Sequence, residues 1–232
     1  MSSTDIITRA GLKTPKAAAV AGILFSILIV VIFWMLRTAI PDNPLEAGAW
    51  ITTSTRSVRF ALNLVPFAGV LFLWFIGVLR DRLGIHEDRF FATVYLGSAL
   101  LFLALLFASA AVIGAILLVF SDEPNEMLNS TTFHIARALA YNLMNIYAIK
   151  MAGVFMFSTS TVIIYTRMAP RWIALVGFAL ALVLLLGSYY ISWSIALLPL
   201  WVMLLSVYVL LDNLRRPPAP IAQDDPGAND TA

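Results

Sequence analysis

One basic side chain, Lys150, stands inside a long apolar stretch, where a charge is costly. An ammonium group within a membrane can attract an anionic solute or a lipid headgroup, or it can donate hydrogen bonds to carbonyls and hydroxyls. Tyr147, Ser158 and Thr161 fall on the Lys150 side of a helical wheel. Asn142 flanks that stripe. The pattern makes these residues the candidates for a solute or ion pathway.

A further polar residue lies in an earlier apolar run, where Asn63 comes three positions before Pro66. Proline has no N–H, so inside a helix it frees the carbonyl four residues earlier, that of Leu62. We expect a kink whose polar groups are satisfied by a neighbouring helix. A ligand contact at Asn63 is the alternative.

The groups that most enzymes need are missing. The chain has no cysteine, and its two histidines, His86 and His134, are expected on opposite sides of a membrane. No zinc-protease, nucleophile-elbow, phosphate-loop or dinucleotide-binding motif occurs. The apolar runs contain no Asp or Glu, which argues against a proton-coupled antiporter. We therefore expect no enzymatic activity, no cofactor and no metal.

The elements that must position these residues are membrane-spanning helices. Of 232 residues 61% are hydrophobic and 12% charged, against about 45–50% and about 25% in soluble domains. The runs are continuous rather than alternating, which favours helices over a β-barrel. The sequence predicts an all-α transmembrane bundle with six spans of about 20 residues or more. These spans are 17–36, 60–79, 90–120, 138–166, 172–191 and 193–211.

The distribution of Lys and Arg predicts that both termini are cytoplasmic. In that orientation ten of the fifteen basic residues are inside: Arg9, Lys13, Lys16, Arg80, Arg82, Arg89, Arg167, Arg171, Arg215 and Arg216. Residues 1–16 then form a cytoplasmic segment and 17–212 the six-helix domain. Residues 213–232 form a cytoplasmic tail that we expect to be disordered. The first span is typical of an uncleaved signal-anchor, because Arg37 occupies the place of a cleavage site.

The fourth span allows two arrangements, and the sequence leaves both open. In the first, 138–166 is one long span with Lys150 near its middle. In the second, 131–149 lies on the outer interface and Lys150 snorkels to the headgroups. A central Lys costs about 2.5–3.5 kcal/mol, and each Leu, Ile, Phe or Val returns about 0.3–0.6 kcal/mol, so insertion energy does not decide.

Three shorter patterns lie at or between the spans. Residues 43–46, Asn-Pro-Leu-Glu, predict a helix start with Asn as N-cap. Residues 80–89 carry charges of both signs and form either a solvated turn or a docking site for a protein partner. Pro199 is expected to kink the last span.

Two stretches resemble a known group of proteins. They are PFAGVLFLWFIGVLRDRLG at 66–84, and STST at 158–161 followed by RMAPRW at 167–172. Together they resemble uncharacterised multi-span membrane proteins of bacteria that are common in actinobacteria. The resemblance covers most of spans two to five. It implies a location in the bacterial inner (plasma) membrane, and it implies no activity or site residues.

Two classes of function follow. The first is a small-solute or ion pathway along Lys150 and its neighbours, and the polar stripe favours it. The alternative is a non-catalytic membrane subunit or scaffold that binds a protein partner, which the small size and the lack of membrane carboxylates favour. The lipid bilayer surrounds the protein in both. The net charge of +2 is too small to indicate a nucleic-acid surface.

Overall fold

The computed structural model describes residues 14–40, 54–81, 89–120, 130–167, 169–187 and 193–215, and every regular element within them is helical. The helices are α1 (Thr14–Ala39), α2 (Thr55–Asp81), α3 (Arg89–Phe120), α4 (Thr131–Asn142), α5 (Ile149–Thr166), α6 (Arg171–Gly187) and α7 (Leu197–Arg215). A π-helical segment, Leu143–Ala148, joins α4 to α5, and a 3₁₀ turn, Ser194–Ala196, precedes α7. The predicted helix start at 43–46, most of the 80–89 loop and the 216–232 tail lie outside the described residues.

Five helical stretches are long and apolar enough to cross a membrane. They are Ala19–Ala39, Thr55–Gly77, Thr93–Val119, Thr131–Thr166 and Ser194–Asp212. The remaining predicted span, α6, is an apolar helix of 17 residues, or about 25 Å. That is short for a hydrocarbon core of about 30 Å. The all-helical, multi-span architecture is thus confirmed, with five long helices and one shorter one.

With α4, the π-helical segment and α5 counted as one continuous helix, consecutive helices from α1 to α6 run antiparallel, because residues later in one helix contact residues earlier in the next. Between α2 and α3, Phe72 meets Phe102 with ring centroids 5.5 Å apart. Closer to the end of α2, the Tyr95 hydroxyl donates to the Ile76 carbonyl at 3.2 Å. The same alternation holds for the other neighbouring pairs. It gives α1–α6 two shared ends.

These two ends are named here by one residue each. The Arg171 end holds the last residue of α2, Asp81, and the first of α3, Arg89. The Thr131 end holds the first residue of α2, Thr55. These names say nothing of which side faces the cytoplasm.

An aromatic cluster fills the space between α1, α2, α3 and α5. Its members are Phe25, Phe72, Tyr95, Phe102 and Phe155, each at most 2% exposed. Phe72 is central, with ring centroids 4.6 Å from Phe25 and 5.2 Å from Phe155. Such pairs contribute about 0.5–1.5 kcal/mol beyond the area that they bury. The cluster therefore binds four helices together and leaves them little freedom to separate.

Close approaches at small residues hold α6 and α7 to the bundle. A Cβ atom at Gly22 would overlap Ser206 Oγ of α7. One at Gly177 would overlap Ser160 Oγ and lie 2.8 Å from Trp201 Nε1. Small residues at such contacts let backbones approach where lipid supplies no hydrophobic driving force. As a result α7 packs mainly on α1 and meets α5 and α6 through Trp201.

Pro66 and Pro199, the two prolines discussed from the sequence, have different surroundings. Pro66 lies in the interior of α2, as predicted. Pro199 is the third residue of α7, in a first turn whose N–H groups lack helical partners in any case. The reason for a kink in mid-span at Pro199 is therefore absent.

Candidate functional site

The fourth predicted span is part of one helix, Thr131–Thr166, of 36 residues. It begins seven residues earlier than predicted, and Ser130 Oγ caps its N-terminus by accepting a hydrogen bond from the Phe133 N–H. The helix packs lengthwise on α3, through Ser109 at one level and the Tyr95–Phe155 contact at another. A surface helix over 131–149 would lie across α3 instead. The structure therefore has the single long helix of the first arrangement, and the depth of Lys150 in the membrane stays a prediction.

A π-helical segment, Leu143–Ala148, interrupts the α-helical hydrogen bonding of this helix. Side chains satisfy two carbonyls at its start. Ser109 Oγ donates to Ala140 O at 2.9 Å, and Asn145 Nδ2 donates to Tyr141 O at 3.2 Å. Because a π-helix bonds each residue to the fifth along, residues before it leave the face that a 3.6-residue wheel assigns them. π segments are rare and frequently occur at functional sites.

Lys150 is the second residue after the π segment, in the first turn of α5, and is half-buried. Its Nζ donates a hydrogen bond to the carbonyl oxygen of Leu185 at 3.1 Å. Leu185 lies in the last turn of α6, which ends at Gly187. Carbonyls in a last turn lack helical N–H partners, and they carry the negative end of the helix dipole. The ammonium group therefore caps the C-terminus of α6.

The other predicted members of the stripe do not gather around Lys150. Tyr147 is 57% exposed and Asn142 is exposed as well. Ser158 is buried, and its hydroxyl donates at 2.9 Å to the backbone carbonyl four residues earlier. Thr161 does the same at 3.0 Å. Both hydroxyls are thus satisfied within α5.

Asn63, the remaining predicted site residue, lies in a groove between α2 and α3 near the Thr131 end. The groove has a volume of about 540 Å³ and opens at the bundle surface. We call it the α2/α3 groove. Its lining residues are Arg59, Leu62, Asn63, Val65, Pro66, Phe107, Ala110, Ala111, Gly114, Leu117 and Leu118.

Two polar side chains of this groove are unpaired within the described part of the chain. Arg59 and Asn63 are exposed, and neither forms a hydrogen bond or an ion pair with the described residues. Pro66 adds a third polar group, because its missing N–H frees the Leu62 carbonyl. The groove therefore offers a cation, an amide and a carbonyl beside an apolar floor.

Asn63 was predicted from the sequence as a candidate site residue, and Arg59 was not. A signal was available, since Arg59, Asn63 and Pro66 are spaced by four and three residues, which places them on one helix face. The π segment and the Leu185 carbonyl gave no such signal. Among the described residues no cluster of three potential metal ligands occurs.

No protein-family model matches the chain, and neither does any curated protein or solved structure. The architecture places it among all-helical proteins with several candidate membrane spans. The resemblance to the actinobacterial group stays a prediction.

Proposed function

We propose that this chain is a non-catalytic membrane subunit or scaffold that binds a protein partner along α2, near the Arg171 end. Gly77 carries the proposal. It is exposed, and a Cβ atom there would meet nothing within 4 Å. Glycine in a helix costs about 1 kcal/mol relative to alanine, and no described contact uses the space that it leaves. In membranes a glycine on a helix face permits close approach of another helix.

Large apolar side chains extend this surface along α2. Phe67, Val70 and Trp74 are 64%, 51% and 64% exposed. With Gly77 they recur at spacings of three and four residues, so they share one helix face. We call these four residues the α2 face. A bulky aromatic next to an open glycine is the combination of anchor and gap that helix interfaces use.

The α2 face leads directly to the predicted docking segment at 80–89. Arg80, its first residue, is exposed at the end of α2. A partner lying along the α2 face would therefore reach Arg80, where the predicted docking segment begins. We place the Arg171 end in the cytoplasm of a plasma-membrane protein, because most basic residues flank it.

The packing of the bundle supports a binding role over a solute pathway. The aromatic cluster occupies the space between four helices. The Lys150 ammonium and the hydroxyls of Ser158 and Thr161 are already hydrogen-bonded within the protein. A pathway needs polar groups that are free to exchange partners with the solute.

The solute pathway is the second candidate, and one observation favours it. The π segment ends two residues before Lys150, and such segments frequently occur at functional sites. In this function Lys150 would exchange Leu185 O for an anionic solute. Tyr147, largely exposed, would lie at the entrance.

Photo-crosslinking in native membranes tests the α2 face. We expect a photoreactive phenylalanine analogue at position 74 to give one discrete protein adduct. The same analogue at Leu186, which is 77% exposed on α6, is the matched lipid-facing control. Addition of Gly77→Leu should abolish the adduct without lowering the melting temperature. Adducts with lipid alone at both positions would contradict the proposal.

One introduced cysteine can distinguish the two functions. It would be the only thiol, because the chain has no cysteine of its own. In the subunit function, Lys150→Cys should be protected from a membrane-impermeant thiol reagent added from either side. Rapid reaction that a small anion slows would instead support the pathway.

A further inference from the structure

We propose that the α2/α3 groove binds an anionic phospholipid, with its phosphate at Arg59 and one acyl chain along α3. This goes beyond the partner-binding function and does not depend on it, since the groove uses α2 residues from Arg59 to Pro66 and the α2 face begins at Phe67.

Arg59 supplies the charge that selects the headgroup. It lies four residues after the start of α2 at Thr55, which places it about 6 Å from that helix end. Its guanidinium is exposed and has no acidic partner within the described residues. Guanidinium groups bind phosphate through paired N–H donors. An anion with phosphate oxygens is therefore the complement of this end of the groove.

Asn63 provides the next polar contact for the lipid, deeper in the groove than Arg59. It lies one helical turn below Arg59, about 6 Å further along α2. Its amide has no hydrogen-bond partner in the described chain, although an unsatisfied amide in hydrocarbon costs several kcal/mol. In a phospholipid the ester carbonyls lie just below the phosphate. The Asn63 amide N–H groups are placed to donate to one of them.

The remainder of the groove suits an acyl chain. Ala110, Ala111 and Gly114 give α3 a small-residue floor, and a Cβ at Gly114 would meet only Leu62, at 3.9 Å. Phe107 closes the groove toward the Arg171 end, where its ring lies on Gly69. A polar entrance, a narrow apolar floor and a closed inner end match one amphiphile with a charged head.

A helix from another protein fits this groove less well. Packed helices generally have axes about 8–10 Å apart, whereas a helix with its side chains is about 10–12 Å across. The cleft between two adjacent helices therefore admits an extended chain more readily than a helix. A protein partner would also have to bring its own anion to Arg59.

Lipid binding to the full chain in a neutral detergent tests the proposal. Native mass spectrometry and melting temperature would be followed while phosphatidylglycerol, phosphatidylcholine or inorganic phosphate is added. We expect phosphatidylglycerol to bind and to stabilise the protein more than the other two. Arg59→Gln should weaken this binding about tenfold, whereas Arg56→Gln should change it less than about twofold. Arg56 is the matched control, because it is exposed one turn away and does not line the groove.

A second variant tests the acyl chain. Ala111 is exposed, so Ala111→Trp should fill the groove without disturbing the core. This variant should weaken phosphatidylglycerol binding about as much as Arg59→Gln does. Equal stabilisation by inorganic phosphate would assign the site to a free anion and overturn the lipid. Equal losses from both arginine variants would show a nonspecific surface effect. Unchanged binding in Ala111→Trp, or a protein adduct from a photoreactive group at this position, would also overturn the proposal.

Discussion

The ammonium group of Lys150 lies 3.1 Å from the carbonyl oxygen of Leu185 and joins α5 to the last turn of α6. Leu185 is two residues before the end of α6 at Gly187. Nearby, Gly153 packs with its backbone against α6, so that a Cβ there would lie 3.2 Å from Ala181 O. The one charge in the fourth predicted span thus has a structural partner.

Replacement of Lys150 tests this capping contact. Lys150→Met keeps most of the apolar stem and removes the donor, and we expect a loss of about 1–2 kcal/mol in unfolding free energy. Lys150→Arg keeps the charge and should lose less than half as much. Denaturant unfolding in mixed micelles would measure both. Equal stability of the Lys150→Met variant and the wild-type protein would show that the contact contributes nothing.

Two buried serines should respond in opposite directions to the same substitution. Ser109→Ala removes the hydrogen bond to Ala140 O and should cost about 0.5–1 kcal/mol. Ser160 Oγ is buried and has no hydrogen-bond partner among the described residues, so Ser160→Ala removes an unsatisfied group and should stabilise by up to about 1 kcal/mol. Thermal unfolding of the two variants side by side is the measurement. Destabilisation of both by a similar amount would show that Ser160 has a partner in the membrane.

Two glycines provide a matched test of helix packing. A Cβ at Gly177 would overlap Ser160 Oγ, whereas one at Gly97 would meet nothing within 4 Å. Gly177→Val should therefore cost about 1–3 kcal/mol through overpacking. Gly97→Val should leave the melting temperature unchanged or raise it. A larger loss at Gly97 than at Gly177 would contradict the packing of α5 on α6.

Cysteine labelling tests the proposed orientation. Arg56 and Arg171 are both exposed and lie at opposite ends of the bundle. If the Arg171 end is cytoplasmic, an impermeant thiol reagent added outside intact cells should label Arg56→Cys and spare Arg171→Cys. In permeabilised cells the reagent should label both variants. The reverse pattern would invert the orientation and, with it, the leaflet in which the α2/α3 groove opens.

Most helix positions could be predicted, because lipid imposes a simple rule on the chain. A helix must continue until its backbone leaves the hydrocarbon, and charged residues mark that point. Arg80 and Arg171 flank the predicted spans 60–79 and 172–191. In the structure they lie at the end of α2 and the start of α6. The same rule failed at the start of the fourth helix. Ser130 caps it there, and the polar residues that follow include Arg137, which is buried in the bundle.

The candidate site was only partly accessible from the sequence. Asn63 was predicted because an amide side chain within an apolar run can be recognised from the sequence alone. Arg59, which also lines the α2/α3 groove, was not predicted as a site residue, because a charge at the edge of a membrane span is expected there for any helix. The partner of Lys150 is 35 residues away in the chain and is a backbone carbonyl. Since every residue has a carbonyl, side-chain types carry no information about which one is used.

The sequence by itself determined that this protein is helical and rich in apolar spans, because those properties follow from local composition and run length. Only the tertiary structure decided what surrounds Lys150, since the π segment and the short length of α6 together bring the ammonium to a helix C-terminus. The same holds for the groove, which exists because small residues on α3 lie opposite Arg59 and Asn63. Such relationships depend on how helices pack side by side. The residue pattern of one segment does not predict which distant segment packs against it.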